Sequence, residues 1–155
     1  MADRRRKNAD ALFRALFFAY GVLMLWLLFG QRVVTLGPGQ SYLDQLRGNV
    51  NLQPMQTVRL LWELTKGSEG SYLVRFAWIN LVGNVAMFVP LGYFLPRLNP
   101  PLRGVFACLA AAAAVIVAVE LFQLVTLLGS CDVDDLILNL VGVLIGYILF
   151  KIFYK

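Results

Sequence analysis

Three aspartates, Asp132, Asp134 and Asp135, stand at the mouth of an apolar run that also carries Asn139, Gly142 and Gly146. From Asp135 the steps are four, three and four residues, which at 3.6 residues per turn puts all four positions on one helix face. Glu120 and Gln123 lie three apart in a second apolar stretch, and Asn80 and Asn84 lie in a third. Carboxylates and amides are costly in lipid and normally face a protein interior, a water-filled cavity or a ligand. Three kinds of chemistry follow. The set could recognise a polar headgroup by hydrogen bonds. Glu120 could transfer protons with Asp135 as its ionised partner, as in a carboxylate-dependent enzyme acting on an envelope lipid. Glu120 could also serve proton-coupled transport, although four spans without an internal repeat fit a lone transporter poorly. The chain has no histidine, which excludes the usual histidine-assisted serine or cysteine hydrolase. No cofactor and no resident metal are assigned; a divalent ion bridging Asp132 or Asp135 to a headgroup is a secondary reading.

Each of these residues also has a packing explanation. Asn80, Asn84, Gln123 and Asn139 can act as interhelical glue, worth about 0.6 kcal/mol per hydrogen bond, and Gly142 with Gly146 has the spacing of close helix packing. The alanine run Ala110 to Ala114 suggests a tightly packed span. The aspartates can cap the final helix against its N-terminal dipole, and Asp134 is assigned to that role. Asp135 shares the Asn139 face and is read as functional. Glu120 must be paired, protonated or hydrated, and is read the same way.

The elements that must position these residues follow from composition. Of 155 residues, 59% are hydrophobic and 15% charged, and the mean hydropathy is +0.70. Soluble domains are roughly 45–50% apolar and about 25% charged, so the fold class is an all-α polytopic membrane bundle. Its parts are a basic N-terminus, residues 1–12, and one membrane domain, 13–155, with spans at about 13–30, 76–96, 104–128 and 136–154. Arg4, Arg5, Arg6 and Lys7, then Arg97 and Arg103, then Lys151 and Lys155 fall on one side, so both termini are expected in the cytoplasm. The lipid bilayer is the certain partner and no nucleic acid is expected. A homodimer through Gly142 and Gly146 is possible. Cys108 and Cys131 would lie about 35 Å apart on a continuous helix, too far for a disulfide.

With that orientation Asn80, Asn84, Glu120, Gln123 and Asn139 all fall in the outer half of the bilayer, reached by three helices running in two directions. A polar pocket facing outward is expected. The long connection from Arg32 to Arg75 starts with a breaker-rich stretch, Thr35 to Ser41. It then reads as a loop leading to an interfacial amphipathic segment with Leu60, Leu61, Trp62 and Leu64. Arg47, Arg59 and Arg75 are its cations, available to the acids or to lipid phosphates, and Trp78 suits an interfacial anchor.

Three blocks together resemble the VanZ-like family, named for a teicoplanin resistance protein. They are NLQPMQTV from Asn51, NLVGNVAMFVPLGYFLP from Asn80, and the stretch from Glu120 through GSCDVDDLILNLVGVLIGY. The family pattern falls on Asn51 and Pro54; on Asn80, Gly83, Asn84, Phe88, Pro90 and Gly92; and on Glu120, Gln123, Asp132, Asp135, Asn139, Gly142 and Gly146. Met55 replaces the phenylalanine common there, and Gly129-Ser130-Cys131 lacks the arginine that many members carry before the acidic cap. The resemblance implies a bacterial cytoplasmic-membrane protein linked to glycopeptide or lipoglycopeptide resistance. That is a phenotype and names no reaction; the leading expectation is a binding or modulating protein whose polar pocket, with Asn51, Asn80, Asn84, Glu120, Gln123, Asp132, Asp135 and Asn139, recognises a lipid-linked cell-wall precursor or a lipoglycopeptide.

Overall fold

The computed structural model describes residues 2–30, 41–56 and 71–154, with positions 34, 39, 59, 62 and 63. Helix α1 (Ala2–Phe29) leads to a short helix α2 (Tyr42–Gly48) and a two-residue strand β1 (Val50–Asn51). Helix α3 (Ser71–Leu98), a 3-10 turn at Pro100–Arg103 and helix α4 (Val105–Val125) follow. Strand β2 (Cys131–Asp132) then runs directly into helix α5 (Val133–Phe153). Four of these helices contain segments long and apolar enough to cross a membrane: Lys7–Phe29, Trp78–Leu98, Val105–Val125 and Val133–Phe153. The expected all-α membrane bundle is what the chain forms, with one small addition, the parallel β1–β2 pair.

The span boundaries follow local chemistry. Helix α1 runs through residue 12 without a break, so the basic N-terminus continues the first span. Helix α5 starts at Val133 rather than near 136 because Asp132 is its N-cap, accepting the Asp134 N–H at 2.8 Å. Lys151 in the last turn complements the other end of the same dipole. Helix α4 ends where Leu127 takes φ 56°, and the Leu127 N–H turns back to Leu124 C=O at 3.1 Å. Helix α2 is closed by a capping box between Ser41 and Asp44.

The core is the seam between α3 and α5, which run parallel. A Cβ at Gly142 would lie 2.1 Å from Val85 O, one at Gly146 1.9 Å from Val89 O, and one at Gly92 2.0 Å from Val143 O. Backbone therefore packs on backbone at three successive levels, which only glycine permits. Gly142 and Gly146 thus serve close packing within the chain, where α3 occupies the face expected for a homodimer. Phe88, Val143 and Phe150 on these two helices and Cys108, Ala112 and Ile116 on α4 complete the buried core.

Helix α1 docks more loosely. Its Phe17 ring meets Phe94 at 5.6 Å, Phe29 meets Phe122 at 5.3 Å, and the Tyr20 hydroxyl donates to Met87 C=O at 2.9 Å. Asp10, Arg97, Arg103 and Tyr154 gather at one end of the bundle, the basic end. The β1–β2 pair marks the opposite end. The N-terminal helix, the α3–α4 turn and the C-terminus therefore share one side, as the charge pattern requires. Of the interfacial segment, Arg59, Trp62 and Glu63 are described as helical and Trp62 is exposed; Leu60, Leu61 and Leu64 lie outside the described residues.

Candidate functional site

The strand end is built by two short segments meeting across the sequence. Val50 pairs with Cys131 and Asn51 with Asp132 in parallel register. The Cys131 N–H donates to Asn49 C=O at 2.8 Å, and Asn49 Nδ2 donates to Gly129 C=O at 3.3 Å. The connection between the first two spans is thereby tied to the turn that feeds α5.

Each aspartate of the acidic cap receives a donor from another part of this layer. Asp132 Oδ2 accepts from Asn51 Nδ2 at 3.0 Å while its Oδ1 caps α5. Asp134 is 2% exposed and accepts the Met55 backbone N–H. Met55 has φ 66°, a left-handed conformation that an L-residue adopts only when its surroundings impose it, and the Asp134 carboxylate supplies that restraint. Asp135 accepts from Asn84 Nδ2 on α3. The assignment of Asp134 to a simple helix cap is thus corrected: Asp132 caps the helix, and Asp134 reaches across to the connection. The signal that could have found it is the register of α5, since an acid two residues inside the N-cap points back over the helix end.

The structure joins Asn84 to Asp135 and buries three others of the expected set. Glu120, Gln123 and Asn139 are buried, and Asn84 and Asp135 are half-buried. Gln123 Nε2 donates to Leu28 C=O at 3.1 Å, satisfying one of the open carbonyls at the end of α1, so this side chain has a definite structural task. Asn139, one turn below Asp135, is 4% exposed, and its Oδ1 has no hydrogen-bond partner among the described residues. Asn80, one turn above Asn84 on α3, is exposed. Arg47, Arg59 and Arg75 are exposed as well.

Electrostatics link the layer to the buried carboxylate below it. The Cys131 thiol is pushed above its ordinary range, first by desolvation and then by the charges of Glu120 and Asp132. Glu120 on α4 therefore acts on the strand pair above it. Among the described residues no three histidine, cysteine, aspartate or glutamate side chains are grouped to hold a metal ion by themselves. Both cysteines are free thiols.

What the arrangement offers is a layer rich in acceptors: four carboxylates and an amide oxygen around a two-stranded clasp. Such a layer suits a group rich in N–H and O–H donors better than it suits a phosphate.

The model of one protein family, VanZ/LLP1, matches residues 17–154. No curated protein and no solved structure matches the chain.

Proposed function

The chain belongs to the VanZ/LLP1 family, and from that premise we propose that its strand-end layer binds the donor-rich headgroup of an envelope amphiphile, a lipid-linked cell-wall precursor or a glycopeptide-type antibiotic. The protein then acts as a binding or modulating component in glycopeptide or lipoglycopeptide resistance. It resides in the bacterial cytoplasmic membrane with both termini inside, so that the strand end faces outward where such molecules lie. The observation that carries the reading is the buried Asn139 Oδ1, without a partner among the described residues, one turn below Asp135. A buried acceptor left unpaired is disfavoured by about 1–3 kcal/mol, and a ligand hydroxyl or amide removes that penalty. Asp135 and Asn84 frame the position from α5 and α3, and Glu120 approaches the layer from α4.

Sugar hydroxyls and peptide amides are donors of the kind that Asn139 Oδ1 accepts. The apolar spans on either side provide for an acyl chain, and segment 49–55 sits beside the headgroup position, held by Asp132 and Asp134.

The test is teicoplanin susceptibility of a sensitive bacterial host expressing the wild type, Glu120→Gln, Asp135→Asn or Asn139→Ala, with membrane abundance matched by immunoblot. Protection by the wild type and its loss in the variants is the expected result. Equal protection by all four would assign these side chains to packing. Chemical conversion of a purified envelope lipid that vanishes in Glu120→Gln would replace binding by catalysis.

A further inference from the structure

The basic end carries a second site of opposite chemistry. A cavity of about 590 Å³ is lined there by Arg14, Arg97, Arg103, Asp10 and Tyr154, among others. Three guanidiniums face one carboxylate, leaving a net charge of +2 around the space. Arg97 is held in place by Asp10 at 2.8 Å and by the rings of Phe13 and Tyr154, 4.7 and 4.8 Å from its guanidinium carbon. Arg103 donates through Nη2 to the Tyr154 hydroxyl at 2.8 Å, and its buried Nε has no partner among the described residues. Both guanidiniums are therefore pre-positioned by one bond each while retaining further donors, the state of an arginine ready for a phosphate.

A second cavity, also about 590 Å³ but apolar, opens beside this one between α1, α3 and α4. Met24, Leu28, Phe88 and Val115 line it, and Arg14 lines both spaces. From Arg14 to Leu28 the groove follows α1 for about 21 Å. One leaflet of a hydrocarbon core is about 15 Å deep, so the groove can take an acyl chain along its length. A basic recess joined at an arginine to an apolar groove of this length has the shape and polarity of an anionic phospholipid. The loose docking of α1, in contrast to the glycine seam, is what leaves the groove open. We infer that the basic end binds an anionic phospholipid, its phosphate among Arg14, Arg97 and Arg103 and one acyl chain in the groove beside α1.

The experiment uses the full chain in neutral detergent, offered equal amounts of phosphatidylglycerol and phosphatidylcholine and read by native mass spectrometry. The wild type retains phosphatidylglycerol in preference. Arg14→Gln, a change at an exposed side chain, lowers that retention about fivefold, as expected for one arginine near a lipid phosphate. Gly21→Phe acts on the tail instead: Gly21 lines the groove, and a Cβ there meets nothing within 4 Å, so the ring fills the space and expels the chain. Thermal midpoints measured without lipid show that both variants are folded. Equal retention of the two lipids, or an Arg14→Gln protein with undiminished preference, would overturn the inference. So would phosphatidylglycerol displaced by millimolar inorganic phosphate while Gly21→Phe binds normally, since the ligand would then be a free anion.

Discussion

At the strand end three acids are fastened, Asp132 and Asp134 by Asn51 and Met55 of the connection and Asp135 by Asn84 of α3. At the basic end the charged groups are mainly guanidiniums, and they stand around an open cavity with a buried donor unused. The difference lies in what has been fastened. The acids clamp a long connection onto the bundle, and beneath them Asn139 Oδ1 is buried without a partner among the described residues. The arginines are steadied by rings and by a single carboxylate, and leave donors. The two ends thus differ in what stays unpaired among the described residues: an amide oxygen at one, a guanidinium N–H at the other.

The contrast presupposes a rigid seam joining the ends, and breaking that seam should have the largest effect. In Gly146→Ala the new methyl meets Val89 O at 1.9 Å, a backbone atom that cannot rotate away. Overpacking of this kind destabilises by about 1–3 kcal/mol or more, and a large fall in the thermal midpoint is expected. Gly83→Ala, on the same helix pair but with nothing within 4 Å, should leave the midpoint unchanged or slightly raised. If both variants behave alike, the seam is not what holds the ends in register.

The next effect concerns the clamp. Asp134→Ala removes the acceptor for the Met55 N–H inside a buried site, a loss of about 1–3 kcal/mol. Hydrogen exchange at Met55 and Cys131 should accelerate strongly while the basic end keeps its protection. Uniform acceleration would mean that Asp134 supports the whole fold and not the strand end alone. Asn84→Leu should be milder, about 0.6 kcal/mol, because it deletes one interhelical hydrogen bond.

The smallest effect is the most diagnostic for Glu120. Cys108 is fully buried, so maleimide alkylation of the intact protein reports on Cys131. The nearby Glu120 charge disfavours the thiolate and raises the thiol pKa. Removing that charge in Glu120→Gln should lower the pKa, shift the pH–rate curve toward lower pH and speed alkylation at neutral pH. An unmoved curve would mean that Glu120 carries no charge over the titrated range.

How much of this was legible in the sequence depends on the range of each signal. The four spans were legible because about 20 consecutive apolar residues can hardly be anything else, and charge placement gave the shared side of the termini. The expectation that Asn84, Glu120, Gln123 and Asn139 lie at one level came from helix direction and a rise of 1.5 Å per residue, and Glu120, Gln123 and Asn139 are buried. Asn80 departs from it because depth along one helix does not reveal whether a neighbour covers that face, and Asn80 is exposed. The β1–β2 clasp was invisible: two residues pairing with two others some 80 positions away have no periodicity. The partner of Asp134 was hidden with it: the register of α5 points that acid back over the helix end, but the Met55 backbone N–H it meets is announced by no side-chain pattern. The groove beside α1 was equally silent, for hydropathy measures how apolar a span is and not how closely it is covered.

The central claim is tested most directly by Asn139→Leu, with teicoplanin and a lipid-linked precursor titrated separately onto the purified full chain in nanodiscs and thermal midpoints measured alongside. Replacing a buried amide whose Oδ1 lacks a partner with an apolar side chain of similar volume should leave the unliganded protein as stable or more so. Binding of at least one of the two ligands by the wild type, weakened about tenfold or more in the variant at an undiminished midpoint, is the predicted result. A lowered midpoint with binding intact would contradict the account and leave Asn139 as an interhelical tie.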